Sequence, residues 1–510
     1  MHISNIKHPK NNTMQANFER FLKPVFQVAE KTNRLRNESV MNFQGGEGFE
    51  SFETPDPKQI KVEIPYEFNA KDYLSFLLYI NSEIEHGLML QYLYAGYSMG
   101  GSHIPEEYQP KVKNWQETIL GIAKEEMGHF ISVQNVLKLI GAPLNFGRMD
   151  YPWDTPFYPF PFKLERLTLK SLGKYVYAES PEGWIDSDNK YAQEIKKDME
   201  SVTDDPHRVG ALFAVILSLI NDTDQIPDEL FNANTYAFQA KFDEWGRGYT
   251  GGQRGSVPGG PKGSPDVLVA PLTCRDDAYA ALSEISEQGE APKETENEDK
   301  PSHFERFLSV YSALSDAKKE LGDSWEPSRN VATNPFIAER ESDGSLESSR
   351  KAGTDYEQDA IKNPEARAWA HLFNVRYRML LNYLAHSFVL DNGFNNNGAI
   401  SPRATIINAT FGEMYNLRSI SNVLVQTPLN PGGADGKMTG PPFSIPYTLD
   451  LPVGEANRWQ EHQDLIEASE IIIESLTPYV SQANLKYLNV LREADQGLSA
   501  IIKELLSNAK

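Results

Sequence analysis

Ile122-Ala123-Lys124-Glu125-Glu126-Met127-Gly128-His129-Phe130-Ile131-Ser132-Val133-Gln134-Asn135-Val136-Leu137 is the stretch on which the reading of the fold turns. Its residues favour helix, and Ile119, Ile122, Glu126, His129 and Val133 recur at i, i+3, i+7, i+10 and i+14, which is one helical face. That face is expected to meet the core. A carboxylate and an imidazole three residues apart on such a face are costly to desolvate unless a charged or hydrogen-bonding group meets them. In a helical bundle a bound metal is the usual solution. A solvated Glu-x-x-His pair on a surface helix is the competing reading, because the motif alone recurs by chance.

Working outward, the preceding long helix is expected from Asp72 to about Gly96. Leu78, Asn81, Glu85, Leu88 and Tyr92 share its inward face, while Glu83, about 200° from Glu85, is expected in solvent. Gly100 to Pro105 forms a loop, and Gly141-Ala142-Pro143 stops the second helix, so the two helices pair as an antiparallel hairpin. Met149 to Pro161, rich in Pro and aromatic residues, reads as an ordered crossover. Further helices are expected at Leu169 to Glu179, stopped by Pro181, and at His207 to Leu219, which is apolar nearly all round. Asp276 to Gly289 follows, with Ala278, Leu282, Ile285 and Gly289 on one face and Glu290 as the better inward acid than Glu287. The next helix starts near Ser302, a plausible N-cap, so that His303 falls in a first turn. Gly246 to Gly263 and Ala291 to Pro301 read as loops.

Long helices are also expected at Ala366 to Val389, Ala404 to Gln426, Asn457 to Leu476 and Gln482 to Leu506. With no period-2 runs the chain reads as mostly α. The expected organisation is an irregular N-terminal arm (1–65), a metal-binding helical bundle (66–338), a charged linker or loop (339–365) and a C-terminal helical region packed on the bundle (366–510), with long Pro/Gly-rich loops.

Composition narrows the function. Among 510 residues, 49 Lys and Arg stand against 71 Asp and Glu, a net charge of −22, which argues against nucleic acid or an anionic membrane surface as main partner. Cys274 is the single cysteine, so a disulfide framework and a thiolate-rich metal site are excluded. Metal chemistry must therefore use carboxylates and imidazoles. Met1 to Asn42 shows no continuous apolar run and no stretch of about 18 uncharged apolar residues occurs, so neither a secretory signal nor a membrane span is expected, and the expected location is cytoplasmic.

A dinuclear carboxylate site takes one Glu from each of two helices and Glu-x-x-His from each of two others. Glu85, Glu126 and His129 supply one half of that set. For the other half the sequence offers Glu179, Glu290 and His303, which are not at Glu-x-x-His spacing, so surface or structural roles for Glu290 and Glu179 stay open.

Glu85-His86, Lys124 to His129, Tyr177-Ala178-Glu179-Ser180-Pro181-Glu182, Glu287-Gln288-Gly289-Glu290, Ser302 to Phe307, Phe373 to Leu380 and Thr439-Gly440-Pro441-Pro442-Phe443, taken in this order, resemble the ferritin-like iminophenyl-pyruvate dimer synthase family of violacein- and rebeccamycin-type biosynthesis. The likeness spans about residues 70 to 450. It implies a ferritin-like bundle holding one or two non-haem irons. It also implies oxidative chemistry on amino-acid-derived metabolites, with Glu85, Glu126, His129, Glu290 and His303 as ligands and Glu179 as an acidic neighbour. Ala211 stands where that family often has an acidic residue, which leaves a mononuclear site or one completed by Glu179 or water as alternatives. The family's namesake enzymes are much longer than this chain.

The expected function is thus a non-haem iron, and potentially di-iron, oxidase or oxygenase of secondary metabolism that uses O2 or peroxide and a small-molecule substrate; a homo-oligomer is compatible with this. No residue is assigned as catalytic beyond ligation. Tyr92 and Tyr94 could gate the site or donate electrons, or simply pack. One rival is a ferroxidase or metal-binding protein. Another is a metal-poor structural or interaction protein in which Arg376 and Arg378 pair with the buried acids. His371 and His386 are candidates for a pocket lining or haem, against the commoner role of a satisfied core histidine.

Overall fold

Asn69 caps the first long helix, accepting from the backbone N–H of Asp72, and the chain then stays helical from Ala70 to Ser98 (α1). Gly100 and Gly101 stop it at φ of +90° and +134°, a region that side chains disfavour. α2 (Gln109–Leu139) returns antiparallel to it and ends at Gly141, where φ is +65°. The two helices lie close because residue 96 is glycine: a Cβ there would stand 2.7 Å from Leu120 Cδ2. The hairpin read from sequence is therefore borne out.

The computed structural model describes residues 20–30, 60–199, 209–245, 269–290, 301–348 and 357–509, apart from 154, 156, 159, 182, 183, 270, 392–394, 397, 398, 434 and 446–448. The expected loops at 246–263 and 291–300 and most of the N-terminal arm lie outside these residues. After the crossover, where Trp153 and Phe162 form an antiparallel bridge, come α3 (Leu169–Ala178), α4 (Lys190–Met199), α5 (Val209–Asn221), α6 (Arg275–Glu290) and α7 (His303–Leu321). α5 packs on α1 and α6, and α7 packs on α2, α3 and α6. α5 is buried from Gly210 to Ile220, as its apolar composition foretells. Ala278, Leu282 and Ile285 of α6 are buried as expected.

α8 (Pro364–Ser387), α9 (Pro402–Leu424), α10 (Glu455–Leu476) and α11 (Gln482–Ala509) form the C-terminal region. α8 lies against both α9 and α10, α10 against α11, and α9 touches α1. The mostly α expectation holds. Among the described residues, strand is limited to Phe336–Ile337 paired in parallel with Ala360–Ile361, and Asn395–Asn396 antiparallel to Ala399–Ile400. Two large apolar clusters form the interior, one centred on α1, α2, α5 and α6, the other on α8 and α9 with residues of α1 and α2. Among the described residues, no helix is long and apolar enough to cross a membrane.

One orientation differs from expectation. Glu83 is half-buried rather than solvated, and burial pushes its carboxyl up to about 7 against a long contact from Asn145 Nδ2 at 3.5 Å. The segment after α2 folds back along α1 and covers that side, which no property of α1 alone could reveal.

Candidate metal centre

Glu85 on α1 and Glu126 and His129 on α2 face one another because the hairpin aligns their inward stripes. All three are buried, at 3%, 2% and 6% exposure. His129 Nδ1 lies 3.0 Å from Glu126 Oε2 and 3.5 Å from Glu85 Oε2. Asn81, one turn before Glu85, donates to Glu85 Oε1 at 3.0 Å and leaves Oε2 toward the histidine.

The second group comes from elements that sequence spacing did not link. Glu179 is the C-cap residue of α3, and His303 opens α7 behind a capping box formed by Ser302 and Glu305. His303 Nδ1 stands 3.0 Å from Glu126 Oε1 and 3.8 Å from Glu179 Oε2. Glu126 therefore stands between two sets, Glu85 with His129 and Glu179 with His303. Within each set of three, one ligand atom per residue falls within 4.8 Å of the others. The two imidazoles run nearly parallel, 5.6 Å apart at an interplanar angle of 26°.

Burial and neighbours set the charges. Burial pushes Glu85 up to about 7, with His129 pulling the other way. Glu179 is likewise raised by burial. Burial also pushes Glu126 up, but His303 and His129 more than reverse this and hold it below the ordinary carboxylate range. For His129 burial lowers the value, and hydrogen bonds to Glu126 and Glu85 outweigh it, to about 10. His303 is raised in the same way, chiefly by Glu126 against the effect of burial.

Of the residues read as site candidates, Glu85, Glu126, His129, Glu179 and His303 meet here. The side chain of Glu290 lies outside the described residues. Ala211 is buried on α5, which brings no acid to the bundle. Tyr92 belongs to the site, since its hydroxyl donates to Glu179 Oε1. Tyr94 does not: its hydroxyl donates to the backbone carbonyl of Ala332. Arg376 and Arg378 pair elsewhere, Arg376 with Glu413 and Asp495 and Arg378 with Glu461. His371 is exposed, and His386 contacts His462 and Glu455.

Three contributors were not assigned from sequence: Glu125, Arg306 and Gln288. His303 Nε2 meets Glu125 Oε2 at 2.9 Å, and Arg306 donates to both oxygens of Glu125. Burial would raise Glu125, yet His303 and Arg306 bring it down to about 2. On the other side His129 Nε2 meets Gln288 Oε1 at 2.9 Å. Arg306 lies at i+3 from His303, and that spacing was the available signal.

Three buried carboxylates, one of them shared, and two imidazoles are a donor set suited to iron-type cations, and the same carboxylates would be costly to bury together without positive charge. The donors fit the non-haem iron that the family resemblance implies.

Residues 78–312 match the ferritin-like family, and every candidate ligand falls inside that span. Dichlorochromopyrrolate synthase from Lentzea aerocolonigenes is 26% identical over 407 residues, covering 71% of this chain and 35% of that protein. The chain spans about a third of the length of the curated relative it matches. A ferritin-like protein of known crystal structure from Caulobacter vibrioides shares 15% identity over 68% of this chain and 95% of its own, with a TM-score of 0.35. The ferritin-like match over residues 78–312 and this likeness to dichlorochromopyrrolate synthase bear out the resemblance to iminophenyl-pyruvate dimer synthase-type enzymes read from the motifs.

Proposed function

We propose that the protein is a non-haem iron oxidoreductase, an oxidase or oxygenase that acts on a small amino-acid-derived metabolite with O2 or peroxide as co-substrate. The observation that carries this reading is Glu126, whose two oxygens face different histidines, each with its own further carboxylate. A carboxylate shared in this way between two His/Glu sets is what two cations held side by side require. Glu85, Glu126 and His129 would hold one iron, and Glu126, Glu179 and His303 the other. Glu290 is a further candidate ligand. Ala211 leaves α5 without an acid, so Glu179 serves as the terminal carboxylate on the His303 side.

Iron held there would supply the electron transfer that the oxidation needs. The chain's own groups do the rest. The Tyr92 hydroxyl donates a hydrogen bond to Glu179 Oε1, and burial keeps that phenol protonated. Tyr175 and Phe307, each 4.9 Å from the Tyr92 ring between centroids, keep water from this side. The likeness to a dichlorochromopyrrolate synthase supports an enzyme of small-molecule biosynthesis.

Iron per chain, measured on protein produced with iron, tests the reading. We expect two irons per chain in wild type, lost in Glu126→Ala and His129→Ala. Loaded wild type is then expected to take up O2 or peroxide with a small amino-acid-derived substrate. Iron that is absent from wild type, or indifferent to both substitutions, would refute it.

A further inference from the structure

We infer that the two halves of the metal centre are built unequal, and that Glu125 with Arg306 makes the His303 half the tighter one. This rests on the proposed metal site and goes beyond it by ranking its halves and naming the residues that rank them.

Both imidazoles turn Nδ1 toward Glu126 and Nε2 away from it. What meets Nε2 differs. At His303 it is Glu125 Oε2 at 2.9 Å, a carboxylate clamped by Arg306, whose Nη1 donates to Oε1 at 3.0 Å and whose Nη2 donates to Oε2. A two-pronged guanidinium contact fixes the plane of the carboxylate and keeps it an acceptor. His303 must then carry its proton on Nε2 and offer the Nδ1 lone pair to a cation. At His129 the partner is Gln288 Oε1 at 2.9 Å. The amide is oriented by its own second bond, since Gln288 Nε2 donates to Glu284 Oε1 at 3.2 Å. His129 is thus set in the same tautomer, but by a neutral acceptor.

An anionic acceptor on the far nitrogen makes an imidazole a stronger donor to a metal than an amide does, and such partners typically change metal affinity about 10–100-fold. Burial strengthens the contrast: Glu125 is 9% exposed and His303 1%. Gln288, by comparison, is half-buried. Glu125 and Arg306 are accordingly positioning residues for His303, and the same cation would fill the Glu126–Glu179–His303 half first.

Titration of the metal-free full chain with Mn2+ alone, followed by competition with a coloured chelator, tests this. In wild type we expect two binding constants. Glu125→Gln, which gives His303 the same kind of partner as His129, should weaken the tighter one about 10–100-fold and leave the weaker one unchanged. Gln288→Ala should do the reverse, and Gln288→Glu should tighten the weaker one. The double variant Glu125→Gln/Arg306→Gln removes the stranded guanidinium and should repeat the single variant's isotherm, so that a folding defect in the single variant does not decide the result. Equal weakening of both constants by Glu125→Gln, no effect of it, or loss of the tighter constant in Gln288→Ala would overturn the ranking while leaving the metal site standing. No Mn2+ bound by wild type would overturn the metal site and the ranking together.

Discussion

Replacing Arg376 by Met removes a buried cation at the centre of the C-terminal helices. Arg376, on α8, is fully buried and reaches α9, α10 and α11 at once. Its Nη1 donates to Glu413 Oε1 at 3.0 Å and to Asp495 Oδ1 at 2.8 Å, and its Nη2 donates to Ser469 Oγ at 2.8 Å and to Asp495 Oδ2. Glu413 and Asp495 are 4% and 5% exposed, so without the guanidinium both carboxylates are stranded in a low-dielectric interior. Breaking a buried pair from one side costs about 3–5 kcal/mol. At about 1.4 kcal/mol per factor of ten, that is amide exchange roughly 10²–10⁴-fold faster wherever exchange needs these helices to open. Hydrogen-exchange mass spectrometry on peptides from residues 364–509 measures this, with iron content read in parallel. The triple variant Arg376→Met/Glu413→Gln/Asp495→Asn should recover most of the loss, because no charge is left unpaired. Acceleration below tenfold would refute the energetic reasoning. A fall in bound iron would show that Arg376 serves the metal-site acids after all, contrary to the 3.0 Å and shorter contacts it makes elsewhere.

Three further outcomes are expected. Gly440→Ala should cost about 1–3 kcal/mol, the usual range for overpacking, because the new Cβ would run into the Tyr94 hydroxyl and stand 2.6 Å from Cζ. Thermal melts should show that adding Tyr94→Phe relieves part of this, and strictly additive losses would count against the clash. His462 is pushed well below the usual histidine range by burial first and by His386 second, so the folded chain keeps it neutral while the unfolded chain protonates it near pH 6.5. Stability from this group is therefore full above about pH 6.5 and falls by about 1.4 kcal/mol per unit as pH drops below it; urea melts of wild type and His462→Gln should differ in slope by about one proton. Finally, metal at about 100 times its dissociation constant should stabilise the wild type by about 2.7 kcal/mol, and Glu126→Ala should show no such gain in a thermal-shift series.

How far sequence alone reaches differs between elements for physical reasons. α2 could be read because a long amphipathic helix repeats its signal over many turns, and Glu126 and His129 stand out as polar groups inside an apolar stripe. Glu85 follows by the same argument on α1. Glu179 and His303 could not be derived this way, since one caps a ten-residue helix and the other opens a helix, where periodicity has no turns to act on. Their candidacy came from motif order. The parallel pairing of Phe336–Ile337 with Ala360–Ile361 left no trace either, because two residues are too few to show a period of two.

The residues that orient the histidines were hidden for a different reason. Around α2, at 100° per residue, Glu125 lies about 100° from Glu126 and about 40° from His129, at the margin of the inward stripe. A glutamate at such a margin faces either water or a neighbour, and its own helix cannot say which. The answer lies in α7, whose first turn brings His303 and Arg306 to that margin. Gln288 is decided in the same manner, by the approach of α6 to α2. Candidate ligands are marked in a sequence because burying them violates the apolar pattern of their own helix. The groups that hold ligands in place sit where two helices meet, so only the packing of α6 and α7 against α2 reveals that one histidine is backed by an ion pair and the other by an amide.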